Sequence, residues 1–262
     1  MQSRMNTGRT LAEPPNTVSA VRRRLIVNAD DFGQIAAINQ GIIEAHEHGI
    51  VTSTSLMTRW PAAAAAALYA REHPKLSVGL HFDLGEWAYR EGNWLPLYTV
   101  VPLDDVAAIK KEIAAQLATF RRLLGRHPTH IDSHQHLHLQ EPVRSALVEI
   151  ARQLQIPLRH FTPGVHYCGS FYGQTAEGSP LPEFITVEAL LDILAALPEG
   201  LTELGCHPAK EADLETMYAD ERLKELAALC DARLRKFITK ANIQLCSFRE
   251  LEGFTHERVV DE

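Results

Sequence analysis

Short apolar runs alternate with longer helical patterns along most of this chain, and this alternation constrains the fold more than any other feature. The runs have the length of buried strands, and the segments between them repeat apolar residues every three or four positions. The predicted strands span residues 25–28, 51–57, 76–82, 129–133, 157–161, 201–206 and 243–246, and the predicted helices span residues 35–48, 61–74, 106–124, 143–154, 186–197 and 220–240. This order indicates a parallel α/β sheet.

Two parallel architectures fit the alternation, a closed barrel and an open doubly wound sheet. No G-x-G-x-x-G follows the first strand, which weakens the dinucleotide-binding form of the open sheet. In a barrel, the chemistry lies at the carboxyl ends of the strands. The position of the polar residues therefore tests the barrel.

The chain is predicted to hold a single domain over residues 21–262, because 262 residues suit one domain and no interior linker is visible. Residues 1–20 are polar and lack a continuous apolar stretch, so they are predicted to form a flexible leader and not a secretory signal.

The four cysteines are widely spaced, which favours reduced thiols in a cytoplasmic protein.

The charge and the hydropathy of the chain limit the classes of partner that it is expected to bind. The net charge is −7 and no dense basic stretch follows residues 22–24, so nucleic acid is not an expected partner. The longest apolar run, at residues 61–69, is far shorter than the roughly 20 residues of a membrane span. A homodimer remains open.

Polar residues gather at four predicted strand ends. Asp30 and Asp31 follow the first strand, His81 ends the third, His207 follows the sixth, and a histidine-rich run (D-S-H-Q-H-L-H) starts at the end of the fourth. Taken singly, the carboxylates could cap a helix and each isolated histidine could belong to the core. Three histidines within five residues are a stronger sign of metal binding.

Together, one carboxylate and two histidines from different strands would form an open metal site with positions left for water and substrate. Such a set suits Zn²⁺ and also admits Mg²⁺, Mn²⁺ or Co²⁺. A water bound to the cation becomes a nucleophile at neutral pH. Of the Asp30–Asp31 pair, the carboxylate that does not bind the cation could activate this water. The pattern thus favours hydrolysis.

Two long segments, residues 83–102 and 162–184, are predicted to be loops and are rich in aromatic residues. Aromatic side chains over a site commonly stack on sugar rings, although packing within the loop explains them equally well. Trp87 and Trp94 are therefore candidate substrate contacts, as is His136 of the histidine run. Glu221 and Arg222 are interpreted as solvated helix charges, with a substrate contact as the alternative for an arginine near a strand end.

At these residues the sequence resembles the YdjC/ChbG-type carbohydrate deacetylase family, which includes relatives associated with hopanoid biosynthesis. The matching segments run in order from about residue 23 to residue 251: L-I-V-N-A-D-D-F-G at 25–33, G-I-V-T-S-T-S-L-M at 49–57, V-G-L-H at 78–81, P-T-H-I-D-S-H-Q-H-L-H at 128–138, and C-H-P at 206–208. The resemblance implies a deformed TIM-like (β/α) barrel of the glycoside hydrolase/deacetylase type with about seven parallel strands. It also implies hydrolysis of the acetamide of N-acetylated sugars, such as chitooligosaccharides, with release of acetate.

The resemblance also implies roles for single residues. Asp31, His81 and His134 match the ligands of one divalent cation, Mg²⁺ or Zn²⁺. Asp30 matches the general base, and His207 matches a candidate acid for the leaving amine. The two aromatic loops lie outside the matched motifs, so the resemblance supports the reaction more firmly than the substrate.

Three other functions compete with this one. A metal-dependent phosphoesterase would need cationic side chains beside the metal, whereas the strand ends carry acids and histidines. Another amidohydrolase reaction would use the same residues. A carbohydrate-binding relative without catalysis would usually lack a ligand or the base, and none is missing.

Overall fold

A computed structural model describes residues 23–211 and 217–251 of the chain. The nine described strands are β1 (Arg23–Phe32), β2 (Ser53–Leu56), β3 (Ser77–Phe82), β4 (Gly85–Arg90), β5 (Asn93–Thr99), β6 (Ile131–Ser133), β7 (Val165–Cys168), β8 (Gly200–Cys206) and β9 (Ile243–Leu245). The seven described α-helices are α1 (Ala36–Glu47), α2 (Ala63–Glu72), α3 (Val106–Leu124), α4 (Val143–Leu154), α5 (Val187–Ala195), α6 (Asp220–Leu229) and α7 (Ala232–Lys240). The predicted leader lies outside the described residues.

Seven strands form one parallel sheet in the order β6-β3-β2-β1-β8-β7, with β9 paired to the first residues of β1. β1 lies at the centre and is buried from Leu25 to Phe32. A parallel strand with both faces covered reads as a continuous apolar run, which explains why the sequence locates it. The sheet curls into a half-barrel, and the prediction of a deformed TIM-like α/β fold with about seven parallel strands is confirmed.

Helix α3 illustrates how local sequence sets an element. The Asp105 side chain accepts a hydrogen bond from the backbone N–H of Ala108 at 2.9 Å, which caps the first turn. Gly125 adopts the left-handed conformation (φ 69°) that ends the helix. Between them, apolar residues every three or four positions pack on the sheet. The predicted bounds of 106–124 are confirmed.

The predicted strand at residues 157–161 is wrong. Only one isolated parallel bridge, between Ile131 and Leu158, joins this segment to β6. Pro157 has no N–H to donate, and His160 lies at φ 66°, outside extended geometry. The edge strand β7 lies instead within the segment predicted as a loop at 162–184.

Two further predictions are wrong in detail. The segment 83–102 is not a plain loop but contains an antiparallel hairpin, β4 and β5, joined by Glu91 and Gly92, both at positive φ. The predicted helix 220–240 is two helices, because Asp231 caps a new one by accepting from the N–H of Arg233.

Other features concern the cysteines and the helices. Cys168, Cys206, Cys230 and Cys246 are free thiols, as the sequence predicts, and Cys206 and Cys246 are buried. Among the helices of the described ranges, none combines the length and the apolar character that a membrane crossing needs.

Candidate active site

The carboxyl ends of β1, β3 and β6 bring the predicted residues to one place. His81 on β3 lies directly beside Asp132 on β6 in the parallel register, and His134 follows β6 immediately. In a regular strand, Asp30 and Asp31 would face opposite sides of the sheet. The register of β1 against β2 shifts at this point and Asp31 has φ 68°, so both carboxylates border the same cavity.

Asp31, His81 and His134 form what we call the Asp31 cluster. His81 Nε2 and His134 Nδ1 each lie 3.1 Å from the same carboxylate oxygen, Asp31 Oδ1. All three residues are buried, and each offers a ligand atom within 4.8 Å of the others. Three donors that converge on one point are the arrangement of a cation site with open positions.

The hydrogen-bond partners of His81 test whether a cation fits. His81 Nδ1 lies 2.8 Å from Asp132 Oδ1, so this nitrogen donates its proton to the carboxylate. In the neutral ring, Nε2 then carries a lone pair that faces the carboxylate oxygen of Asp31. Two facing acceptors require a proton or a cation between them. The cluster therefore fits a divalent cation, and Asp132 fixes the orientation of the His81 ring.

Without a cation, protons take its place. Burial favours the neutral imidazole of His134, but hydrogen bonds to Asp31 and Glu86 outweigh it and raise the pKa to about 9. Burial likewise opposes the charged form of His81, yet the Asp132 carboxylate holds its pKa well above the ordinary value. Burial alone would raise the pKa of Asp31, and the Arg222 guanidinium lowers it instead.

Arg222 is a site residue that the sequence interpretation missed. Its Nη2 donates to Asp31 Oδ2 at 2.6 Å, and its side chain is 3% exposed. The interpretation of Glu221 and Arg222 as solvated helix charges is wrong, because both are buried. Arg222 holds one oxygen of Asp31 and leaves the other free to face the two histidines.

Arg159 is the second missed residue, and it lies at the centre of a buried charge network. Its guanidinium binds both carboxylate oxygens of Asp30 at 2.6 and 2.8 Å. It also contacts Asp132 Oδ2 at 2.8 Å and Glu203 Oε1 at 2.7 Å. Burial would raise the pKa of Asp30, but Arg159 holds it well below its usual range. Asp30 is therefore ionised and fixed in orientation.

Glu203 yields a prediction about stability. Burial raises the pKa of Glu203 to about 7, against the pull of Arg159 and with repulsion from Asp132. The raised pKa means that ionising Glu203 costs stability as the pH rises from about 4.5 to about 7. Glu203→Gln keeps an oxygen for Arg159 without the charge. We expect it to be more stable than the parent at pH 8 by on the order of 1–3 kcal/mol, and equal to it near pH 4.5.

Urea unfolding at pH 4.5 and pH 8 measures this difference. The control is Glu72→Gln, which removes an exposed carboxylate and should leave the two proteins equally stable at both pH values. A Glu203→Gln protein that is less stable than the parent at pH 8 would contradict the account.

His207 lies next to Asp30. Its Nε2 is 3.8 Å from Asp30 Oδ2, and its Nδ1 is 3.8 Å from Glu225 Oε1. The ring makes edge-on contacts with Tyr172 and Tyr218. The side chain is 19% exposed, so it can reach a molecule in the cavity.

A cavity of about 700 Å³ opens above these residues. Each sequence-predicted site residue borders it: Asp30, Asp31, His81, Trp87, Trp94, His134, His136 and His207. The hairpin forms one wall, and Gln135 fixes it there by accepting from the N–H of Trp87 at 2.9 Å and donating to its carbonyl at 2.8 Å. Glu86 and Tyr167 border the cavity as well, and the sequence interpretation did not single them out.

The fold and the site define a parallel α/β half-barrel protein with a buried acid–histidine cluster at the strand ends, where barrel enzymes carry their chemistry. The chain belongs to the YdjC-like protein family, whose model matches residues 24–240. The resemblance seen in the motifs is thereby confirmed.

Named relatives and a solved structure extend this comparison. The chain is 33% identical over 249 residues to a carbohydrate deacetylase of Geobacillus stearothermophilus, with 87% of this chain and 98% of the relative covered. It is 32% identical over 269 residues to a chitooligosaccharide deacetylase of Serratia marcescens, with 88% and 100% covered. A crystal structure of a proposed cellobiose-phosphate cleavage protein from Enterococcus faecalis V583 matches with a TM-score of 0.65 and 27% identity, over 88% of this chain and 99% of that one.

Proposed function

We propose that this protein is a metal-dependent hydrolase that removes acetyl groups from N-acetylated sugars and releases acetate. The observation that carries the proposal is the convergence of His81 and His134 on one oxygen of Asp31 inside a cavity with aromatic walls. The names of the carbohydrate and chitooligosaccharide deacetylase relatives support the reaction class.

Asp31, His81 and His134 would hold one divalent cation, with Zn²⁺ favoured by the two imidazoles and Mg²⁺ as the alternative. When bound, the cation supplies Lewis-acid polarisation of the acetamide and lowers the pKa of water. Arg222 and Asp132 keep the ligands oriented through their contacts with Asp31 and His81.

Asp30 would act as the general base. Its carboxylate borders the cavity next to Asp31 and is ionised, so it can accept a proton from an attacking water. The pairing with Arg159 makes it a weak base but a well-oriented one. A cation would lower the pKa of the water bound to it. A weak base such as Asp30 could then deprotonate this water more easily than free water.

His207 would donate a proton to the departing sugar nitrogen. Its Nε2 lies 3.8 Å from Asp30 Oδ2, its Nδ1 lies 3.8 Å from Glu225 Oε1, and the side chain borders the cavity. Trp87 and Trp94 would stack on sugar rings, and His136, which lines the same cavity, would contact the substrate. Trp94 is 48% exposed, so a ring bound against it has room to extend outward.

A phosphoesterase is the less favoured alternative. Phosphate recognition calls for cationic side chains that are free to bind it. Arg222, the arginine among the described cavity-lining residues, already binds Asp31, and Arg159 binds three carboxylates. Hydrolysis of another amide, or sugar binding without catalysis, would use the same cavity. The acetate-release experiment distinguishes both from sugar deacetylation.

The deciding experiment is acetate release from a panel of N-acetylated mono- and oligosaccharides. We expect release that EDTA abolishes and that Zn²⁺ or Mg²⁺ restores, with the panel ranking chain length. Release that EDTA leaves unchanged would contradict metal dependence. A protein that holds metal but releases no acetate from any sugar in the panel would contradict the substrate class.

Two substitutions test the roles of Asp30 and His207. We expect Asp30→Asn and His207→Ala to keep the bound cation and to lower kcat by about 10²–10⁴-fold, the usual contribution of general acid–base catalysis. Metal analysis and steady-state kinetics on the same preparations measure both quantities. The control is His48→Ala, which changes an exposed histidine at the carboxyl end of α1. Full turnover in either site variant would contradict its assigned role.

A further inference from the structure

Three histidines outside the Asp31 cluster form a second convergent group. His136, His138 and His160, here called the histidine triangle, each offer one ring nitrogen, and the three nitrogens lie within 4.8 Å of one another. Their ring centroids are 5.5 Å apart in every pair. By comparison, the centroids of His81 and His134 in the Asp31 cluster are 5.6 Å apart.

This spacing matches what an ion bound by imidazoles requires. With a Zn–N distance of about 2.1 Å and tetrahedral angles, the centroids of two bound rings lie roughly 5 Å apart. Three rings with equal spacing therefore leave room for one ion between them. Aromatic packing also produces centroid distances of 5.5 Å, as between Trp60 and Tyr98, so the ring nitrogens decide between the two.

Two buried ring nitrogens of the triangle lack a hydrogen-bond partner. They are His136 Nδ1 and His138 Nε2, and His138 is 0% exposed. His138 is held in place by its Nδ1, which lies 2.7 Å from Ser133 Oγ. When Nδ1 donates to that hydroxyl, Nε2 is left as a bare lone pair. A buried acceptor without a partner is costly, and an ion would satisfy it.

The backbone is also strained where the triangle forms. His136 has φ 53° and His160 has φ 66°, conformations that non-glycine residues rarely adopt. His136 follows Gln135, which is also at positive φ, and His160 is the third residue of a turn closed by the hydrogen bond from Phe161 N–H to the Leu158 carbonyl. Such strain persists only when the surrounding structure imposes it, and it is concentrated at functional sites.

The surrounding charge permits a cation. Arg159, which lies next to His160 in the chain, is the nearby positive group, and its guanidinium contacts three carboxylates, those of Asp30, Asp132 and Glu203. His160 is exposed, so an ion can enter from solvent and keep a water as its fourth ligand.

We propose that His136, His138 and His160 form a second metal site, separate from the Asp31 cluster, that binds a transition-metal ion with a preference for imidazole, Zn²⁺ in the first instance. The set contains no oxygen ligand, which selects against Mg²⁺ and Ca²⁺. The ion would border the cavity through His136, which would then bind the ion and would no longer be free to contact the substrate directly. The proposal does not depend on the reaction assigned to the Asp31 cluster.

The test counts ions bound to the whole 262-residue chain. Metal-free protein is dialysed against Zn²⁺, or against Co²⁺ as a spectroscopic probe, and bound metal is measured by mass spectrometry and visible absorption. We expect two ions per chain for the parent and one for His160→Asn. Asparagine tolerates the positive φ of residue 160, so this variant keeps the backbone conformation.

His166→Asn is the matched control, because it removes an exposed histidine of β7 that lies outside the triangle. We expect it to bind two ions. A second variant, His81→Ala, should bind one ion, and His81→Ala combined with His160→Asn should bind none. One ion in the parent that persists in His160→Asn, or loss of the second ion in His166→Asn, would overturn the proposal.

Discussion

Replacing Asp31 with asparagine is expected to remove the bound cation and to lower the proposed deacetylase activity by about 10³-fold or more. The physical reason is that Asp31 Oδ1 is the point on which both histidines converge. Losing that charge costs the several kcal/mol that polarisation by the cation supplies, and about 1.4 kcal/mol corresponds to each factor of ten in rate. Metal analysis and acetate release on one preparation measure both effects.

The control for this substitution is Asp83→Asn. Asp83 is equally buried, but its carboxylate accepts from Tyr98 and Trp60 and lies outside the Asp31 cluster. We expect Asp83→Asn to keep the cation. Circular dichroism of both variants separates loss of the site from loss of the fold, because Arg222 loses its charged partner in Asp31→Asn. An Asp31→Asn protein with full metal content and turnover would rule out the ligand assignment.

Arg159→Met is expected to destabilise the protein by about 3–5 kcal/mol, whatever reaction the site performs. The substitution leaves Asp30, Asp132 and Glu203 without the cation that pairs with them, and an unpaired buried charge costs this much. A domain of this size is stable by only about 5–15 kcal/mol, so the loss is large. Urea unfolding followed by circular dichroism measures it.

The loss caused by Arg159→Met should also depend on pH. The folded pKa of Asp30 is held well below its usual value by Arg159, so the stability from this pair is present above the unfolded pKa and is lost as the pH falls through the folded pKa. The deficit of the variant should therefore shrink under acidic conditions.

Two comparisons make the Arg159 result interpretable. Arg159→Lys keeps a charge but not the fork geometry of the guanidinium, so it should retain part of the stability. It is the variant to measure if Arg159→Met does not fold. Arg233→Met removes an exposed arginine that pairs with Glu188 and Asp231, and it should cost at most about 1 kcal/mol. Equal unfolding midpoints for Arg159→Met and the parent would contradict the network.

Much of the fold could be predicted because its signals are local. The spacing of apolar residues, the Asp105 cap and the terminal Gly125 together set the bounds of α3. The hairpin was missed because alternating aromatic residues in a Gly-containing segment also fit a loop. The edge strand β7 was missed because its four residues are only partly buried and carry a weak apolar signal.

In the candidate site, too, some residues could be predicted from the sequence and others could not. Asp30, Asp31, His81, His134 and His207 stand at the ends of predicted strands, and parallel strands bring their carboxyl ends to one edge. Their convergence on the cavity could therefore be inferred before the fold was known, while their roles remain predictions. The residues that hold them in place could not be inferred, because nothing near Arg159 or Arg222 in the sequence marks an inward-facing charge.

The sequence by itself determined the α/β class, the order of the elements and the acid and histidine residues at the strand ends, since each depends on neighbours within one element. Only the tertiary structure decided which charges meet. Arg159 reaches Asp30 across 129 residues, and Arg222 reaches Asp31 across 191. Such pairings depend on how helices and loops pack over the sheet, and that packing is set by the burial of the whole core. The spacing of apolar residues within one helix or strand therefore does not predict these pairings.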